Sequence, residues 1–166
     1  MNFSANWRSI FSEKLTANFS FGYDHYDYRN DESVEEAAAA RLSFAINQWF
    51  GKVDFSYKLD NNHTLNFGLM SQFYNINSGT YEPLHESSLV KWDQLQKDKA
   101  LESAIYIGDQ WEITPKLSVN AGIRYSMLNA LGPCTYYTYQ EGILPSMSSV
   151  ADSITAGNGK VIKTYH

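Results

Sequence analysis

The stretch KLSVNAGIRYSM, residues 116–127, decides the fold class. Leu117, Val119, Ala121, Ile123 and Tyr125 alternate with Ser118, Asn120, Gly122, Arg124 and Ser126. A period of two places the sets on opposite faces of a β-strand. The open question is what the apolar face meets. In a soluble sandwich it meets a core; in an outer-membrane barrel it meets lipid while the polar face lines a wet interior.

The pattern recurs. In LTANFSFGYD (15–24), Leu15, Ala17, Phe19, Phe21 and Tyr23 share a face; in LNFGLMSQFY (65–74), Leu65, Phe67, Leu69, Ser71 and Phe73 do. Each stripe runs from a leucine to an aromatic over about nine residues, the span a tilted strand needs to cross a bilayer. WFGKVDFSYKL (49–59) alternates as well, and the first ten residues place Phe3, Ala5 and Trp7 together. SAIYIGDQWEI (103–113) is less regular, because Asp109 shares parity with Ile105, Ile107 and Trp111. A β-bulge near Gly108 that exchanges the faces is the expected remedy.

The connections alternate in length. Residues 11–14, 60–63 and 114–116 are short turns, whereas roughly 25–42, 75–101 and 127–166 read as long loops. Long loops are uncommon in compact soluble domains. Strict short–long alternation is the habit of up-and-down outer-membrane barrels, with short periplasmic turns and long extracellular loops. Pro83, Pro115, Pro133 and Pro145 all avoid the strands, as pairing demands. Gly22, Gly68 and Gly122 lie on the polar face, where something must pack closely against them. Phe11, Tyr57 and Trp111 lie beside the short turns, and Tyr23, Trp49, Phe73 and Tyr125 toward the long loops, as two interfacial girdles would. DESVEEAAAAR (31–41) reads as a small helix inside a loop, with Ser33 and Glu36 as a capping box. Residues 86–101 fit helix or strand extension equally.

The 166 residues include 12 Tyr, 9 Phe and 4 Trp, with a formal net charge of −5. That aromatic content suits strands and interfaces. No basic block points to nucleic acid. No apolar run approaches the length of a transmembrane helix, which leaves a barrel open, since barrel strands are only half apolar. Cys134 is a lone thiol with no metal spacing. The N-terminal residues have no charged region followed by an apolar core, so no signal peptide is read there.

No nucleophile–base motif and no phosphate-cradling loop occurs, so no catalytic residue, metal ligand or cofactor is assigned. His25, His63, His85 and His166 are scattered, and His63 reads as a solvated turn residue. Glu35 and Glu36 read as a solvated loop face. The functional surface is expected on the long loops, where Tyr26, Tyr28, Tyr81, Trp92, Tyr136, Tyr137 and Tyr139 offer stacking surfaces for sugars or other organic ligands. Under the barrel reading Leu117, Val119, Ala121, Ile123 and Tyr125 face lipid, and Asn120, Gly122 and Arg124 face the lumen. Asp109 is expected to join Arg124 there, paired with it or with a plug.

ESAIYIGDQWEITPKLSVNAGIRYSM (102–127) and KVDFSYKLDNNHTLNFGL (52–69) resemble barrel hairpins of TonB-dependent outer-membrane receptors. The resemblance covers most of the chain. It implies an antiparallel all-β barrel of about 22 strands with a plugged lumen, located in the cell outer membrane. It also implies import of a scarce ligand of the siderophore, cobalamin or glycan class, driven through TonB. The chain shows no signal peptide, TonB-contacting segment or plug. The expectation is therefore a partial barrel over residues 1–166, with about six strands against the eight or more of a whole barrel. Its partners are then outer-membrane lipid, the plug and remaining strands of the complete protein, and the TonB complex reached through that plug. A small outer-membrane barrel and a soluble ligand-binding β-barrel or sandwich are the alternatives.

Overall fold

A computed structural model describes residues 1–33 and 35–166. Six long strands form the body: β1 (Asn2–Ile10), β2 (Leu15–Glu32), β3 (Ala40–Lys58), β4 (His63–Pro83), β6 (Asp98–Thr114) and β7 (Leu117–Leu131). Between β4 and β6 comes a two-residue strand, β5 (Asp93–Gln94). After β7 come β8 (Cys134–Tyr139), β9 (Val150–Ala156) and β10 (Val161–Tyr165). The main sheet runs β1-β2-β3-β4-β6-β7-β10, with β5 added to the far end of β4, and every pairing is antiparallel. β8 and β9 form a separate hairpin. The sheet is open: β1 and β10 are its two edges. No helix among the described residues is long and apolar enough to cross a membrane, which says nothing about strands.

The alternation in KLSVNAGIRYSM survives as two unlike faces. Direct partners share a face in an antiparallel pair, so the register builds rows across the sheet. On one face, Ala17, Phe55, Phe67, Ile107 and Ile123 form a row, followed by Phe19, Val53, Leu69, Ile105 and Tyr125. No second layer covers them. Leu69 is 54% exposed, Ile105 62% and Ile123 77%, while among the described residues the buried apolar side chains are alanines, such as Ala17 and Ala104. A sandwich of this length would bury these side chains in a core; here the apolar face lies bare.

That face has sharp limits. Toward the long loops it ends on Tyr23, Trp49, Phe73 and Leu101; the next row is His25, Asn47, Asn75 and Lys99. The Tyr23 and Trp49 rings lie 4.4 Å apart, and Tyr23 Oη donates to Asn47 Oδ1 across 2.7 Å. Toward the short turns it closes on Tyr57 and then Trp111. From Leu65 to Phe73 is about eight residue steps, roughly 27 Å at about 3.4 Å each. Tyr125 does not join the upper aromatic row as the sequence suggested. It sits two rows lower, beside Ile105.

Several other expectations are corrected. The supposed loops 25–42, 75–101 and 127–166 are in large part strand: β2 reaches Glu32, β4 reaches Pro83 and β7 reaches Leu131. Beyond the Tyr23 row the apolar–polar alternation fades, but backbone pairing continues, so the strands outlast the signal that announces them. The helix expected over 31–41 is absent. Glu32 pairs with Ala40, and only a 3₁₀ turn at Glu36–Ala38 intervenes, with Glu35 as its N-cap and no side-chain cap. Too few residues lie between the paired ends for helix nucleation to overcome its cost; Val34 lies outside the described residues. Residues 86–101 contain β5 and the start of β6, not a helix. No bulge occurs at Gly108, where register continues unbroken from Asp98 to Trp111.

The polar-face glycines are covered from within the sheet. Gly22 faces Phe50, and Gly68 faces Tyr106. A methyl group on Gly22 would collide with the Phe50 ring, and one on Gly68 with the Tyr106 ring and the Val53 carbonyl. These are aromatic-over-glycine pairs of the kind that pin register. Gly51, on the apolar face, has open space around it. Gly68→Ala is therefore expected to destabilise by roughly 1–3 kcal/mol, while Gly51→Ala stays neutral or stabilises by up to about 1 kcal/mol. Urea unfolding in lipid vesicles, followed by tryptophan fluorescence, measures both; equal effects would contradict the register-pinning role of Tyr106.

Candidate functional site

The polar face is organised around one row: Asp54, Gly68, Tyr106 and Arg124 are successive partners across β3, β4, β6 and β7. Because Gly68 has no side chain, Tyr106 lies flat across β4 and its hydroxyl donates to Asp54 on the strand beyond. Lys52 Nζ approaches Asp54 Oδ2 at 2.9 Å. Lys52 and Arg124 flank the Tyr106 ring, at 5.8 and 5.7 Å from its centroid, within cation–π range. Arg124 Nε also donates to Ser126 Oγ across 3.0 Å. Nearer the long loops, Tyr74 Oη donates to Glu102 Oε2 across 3.1 Å.

Asn120, Gly122 and Arg124 lie on this polar face, opposite Gln110, Gly108 and Tyr106, and Val119, Ala121, Ile123 and Tyr125 lie on the other. Leu117 starts β7 opposite Thr114, just past a register shift at Glu112. Asp109 departs from expectation. It pairs with Leu65 and Ala121 on the apolar face and so cannot meet Arg124. Its partner is His63, whose Nδ1 lies 2.6 Å from Asp109 Oδ2. Asp109 Oδ1 is covered and accepts no hydrogen bond among the described residues. His63 is thus no solvated turn residue: it opens β4 and stacks on Trp111 with ring centroids 5.5 Å apart. The sequence error was to remedy an acidic residue on an apolar stripe with a bulge, when a histidine on the neighbouring strand serves. Asp60, in the preceding turn, accepts the backbone N–H groups of Asn62 and His63, which hold its carboxyl below the usual range.

At the long-loop end the polar face changes character. Tyr26 pairs with Ile46 and Tyr28 with Phe44, in register with the polar parity of β2. The Tyr28 and Phe44 centroids are 6.4 Å apart. On β4 a register shift occurs between the partners of Ser43 and Ala45, with Gly79 at φ 156°. The extra residue reverses the parity of β4, so Tyr81 comes to face Leu42 on the same side as Tyr28. Leu95 donates its N–H to the Gly79 carbonyl across 2.9 Å. Gln94 Nε2 reaches Thr80 Oγ1 at 3.1 Å. Leu42, Phe44, Gly79, Tyr81 and Leu95 line an open cleft of about 370 Å³.

Tyr26, Tyr28 and Tyr81 therefore stand on strands and share one wall with Leu42, Phe44 and Ile46. The aliphatic and phenyl members were missed because Leu42 fell within a supposed loop and Phe44 and Ile46 between it and the strand read from Trp49; the shift at Gly79 leaves no sequence signal beyond the glycine itself. Trp92 lies just before β5, exposed and with no ring partner among the described residues. Tyr136, Tyr137 and Tyr139 lie on β8 in the separate hairpin, where Tyr136 pairs with Ile154 and Tyr137 with Ser153 on opposite faces. That hairpin is tethered by the Thr135 N–H to Gln96 Oε1 (2.9 Å), and Lys99 Nζ donates to Asn158 Oδ1 (2.9 Å) in the turn between β9 and β10. Outside the wall, Arg41 grips Asp31 through two bonds of 2.7 and 2.8 Å, which lower the Asp31 carboxyl's pKa. Among the described residues no three His, Cys, Asp or Glu side chains gather as metal ligands.

An open, up-and-down antiparallel sheet, with a bare apolar face bounded by aromatics and a polar face holding charged pairs, defines a section of membrane β-barrel wall. The family described as "TonB dependent receptor-like, beta-barrel" matches residues 2–131, most of the chain, and the chain belongs to that family. It is a family of outer-membrane receptors and transporters, not of enzymes. Comparison with curated proteins and with solved structures gives no significant match.

The His63–Asp109 pair yields a test. His63→Leu alone leaves the Asp109 carboxyl without its partner among apolar side chains, whereas His63→Leu with Asp109→Leu removes both members of the pair. With each side chain about a third exposed, at 31% and 35%, the single variant is expected to lose roughly 1 kcal/mol and the double variant to recover it. The urea midpoint in lipid vesicles reports this; additive losses would contradict the pairing.

Proposed function

We propose that the chain forms wall strands of an outer-membrane receptor that imports a scarce organic ligand of the siderophore, cobalamin or glycan class. In this reading Leu117, Val119, Ala121, Ile123 and Tyr125 face lipid, and Asn120, Gly122 and Arg124 face the lumen. The short turns are periplasmic and the long-loop ends extracellular. A plug carried by the complete protein fills the lumen and passes energy from the TonB complex. Family membership supports the receptor class. The aromatic wall of Tyr26, Tyr28, Phe44 and Tyr81 supports ligand capture. These rings gather with Leu42 and Ile46 on neighbouring strands at the mouth, above the charged row at Tyr106. Flat rings on paired strands give a rigid stacking surface at low entropic cost.

A soluble ligand-binding barrel would enclose the row of Leu69, Ile105 and Tyr125, and among the described residues nothing covers it.

Tyr28→Ala and Tyr81→Ala are each expected to weaken ligand capture by about five- to tenfold through lost stacking. Tyr137→Ala, on the separate hairpin, is expected to change it less. Whole-cell uptake of a ferric catecholate, cyanocobalamin and neutral oligosaccharides, each as sole source of iron, cobalamin or carbon, measures the effect. Unchanged uptake in both wall variants would contradict capture at this wall.

A further inference from the structure

One part of the polar face is left bare. Gly22 and Gly68 are covered by Phe50 and Tyr106, but Gly108 and Gly122 face each other with only backbone nearby: the closest atoms to a methyl group on either belong to Ala121, Gly122, Ile107 or Gly108 main chain. Exposed backbone in a strand interior marks a place that another group approaches closely. Around it stand three carboxamides. Asn66 is in register with Gly108, and Gln110 faces Asn120 in the next row. Together they line an open notch of about 390 Å³.

The chemistry of the notch is neutral. Asp109 contributes only backbone, since its side chain pairs with His63 on the other face. No charged side chain lines the notch; Arg124 stands one row beyond Gly122, engaged with Ser126 and the Tyr106 ring, and Glu112 one row beyond Gln110. Asn66 makes one long bond, Nδ2 to the Thr64 carbonyl at 3.5 Å. The side chains of Gln110 and Asn120 make none among the described residues. Each carboxamide presents a donor and an acceptor side by side, which matches adjacent hydroxyls that both give and accept. An anionic chelate would find no cation to neutralise it here.

We propose that the Gly108–Gly122 notch is a hydrogen-bonding station for a neutral, hydroxyl-rich unit of the ligand, a sugar ring by chemical class. The bare glycines admit the ring close to the sheet, and Asn66, Gln110 and Asn120 hold its hydroxyls. This rests on the reading that the polar face lines the ligand's path, and it favours the glycan class among those above.

Substitution at Gly122 would press a side chain into Gly108, so the test uses Asn120→Leu and Gln110→Leu, which remove hydrogen bonds without touching the backbone. The complete protein, purified in detergent, is applied to an array of neutral and uronic-acid oligosaccharides, with heat-modifiable migration as the folding control. The wild type is expected to bind a neutral oligosaccharide. Each variant should weaken that binding about tenfold, the usual effect of orphaning a hydrogen-bonding partner. Binding unchanged in both variants would overturn the station while leaving capture at the mouth intact, provided Tyr28→Ala still reduces binding. No neutral oligosaccharide bound, or only acidic ones, would overturn the sugar assignment. Cross-linking of Asn120→Cys to another polypeptide segment in the ligand-free protein would also overturn it, because the notch would then be a protein contact. If neither Tyr28→Ala nor the notch variants alter capture of any ligand, the receptor reading of this face fails with it.

Discussion

The structure depends on a single layer of backbone hydrogen bonds. Strands β1 to β7 are tied edge to edge by registers that run almost without interruption, and among the described residues no helix or second sheet packs over them. Every large side chain must therefore meet a surrounding medium, not a core. A lone sheet in water could not keep Ile105, Ile123 and Leu69 on one side; the hydrophobic effect would fold the sheet over or aggregate it. Two media, one apolar and one aqueous, reconcile such a sheet with its own sequence. The same constraint explains why the backbone is so regular, since an unpaired N–H or carbonyl in hydrocarbon costs several kcal/mol.

Register does the organising that a core does elsewhere. Tyr106 reaches Asp54 only because Gly68 lies between them, so one glycine couples four strands through a ring, a carboxylate and two cations. At the mouth, the register shift at Gly79 turns Tyr81 toward Tyr28 and Phe44, converting scattered loop tyrosines into one surface. On the apolar face the same rule sets His63 beside Asp109 and gives a partner to an acid that would otherwise face hydrocarbon unpaired.

Much of this was legible beforehand. The Leu-to-aromatic stripes at 15–23, 65–73 and 117–125 gave strand identity and the two faces, and the short turns gave antiparallel order. What escaped has a common physical origin. Alternation reports a boundary between two media, so where both faces meet water it disappears, and residues 25–32, 40–42 and 75–83 read as loop though they lie in paired strands. The Gly79 shift depends on a match between two strands, which neither strand carries alone. Asp109 was misplaced for the same reason, because its compensation comes from His63 on a different strand. Tyr26, Tyr28 and Tyr81 were identified by type, but their convergence, and the contribution of Leu42, Phe44 and Ile46, depended on those longer pairings.

The central claim is that one face of this sheet meets lipid and the other water. Nitroxide labels placed one at a time at residues 66, 67 and 69 to 72 of β4, which is paired along both edges, test it most directly in the complete protein in lipid vesicles. Power-saturation measurements should alternate with period two: labels at 67, 69 and 71 accessible to oxygen and shielded from a water-soluble nickel complex, labels at 66, 70 and 72 shielded from oxygen. Absence of alternation, or alternation of opposite phase, would contradict the account.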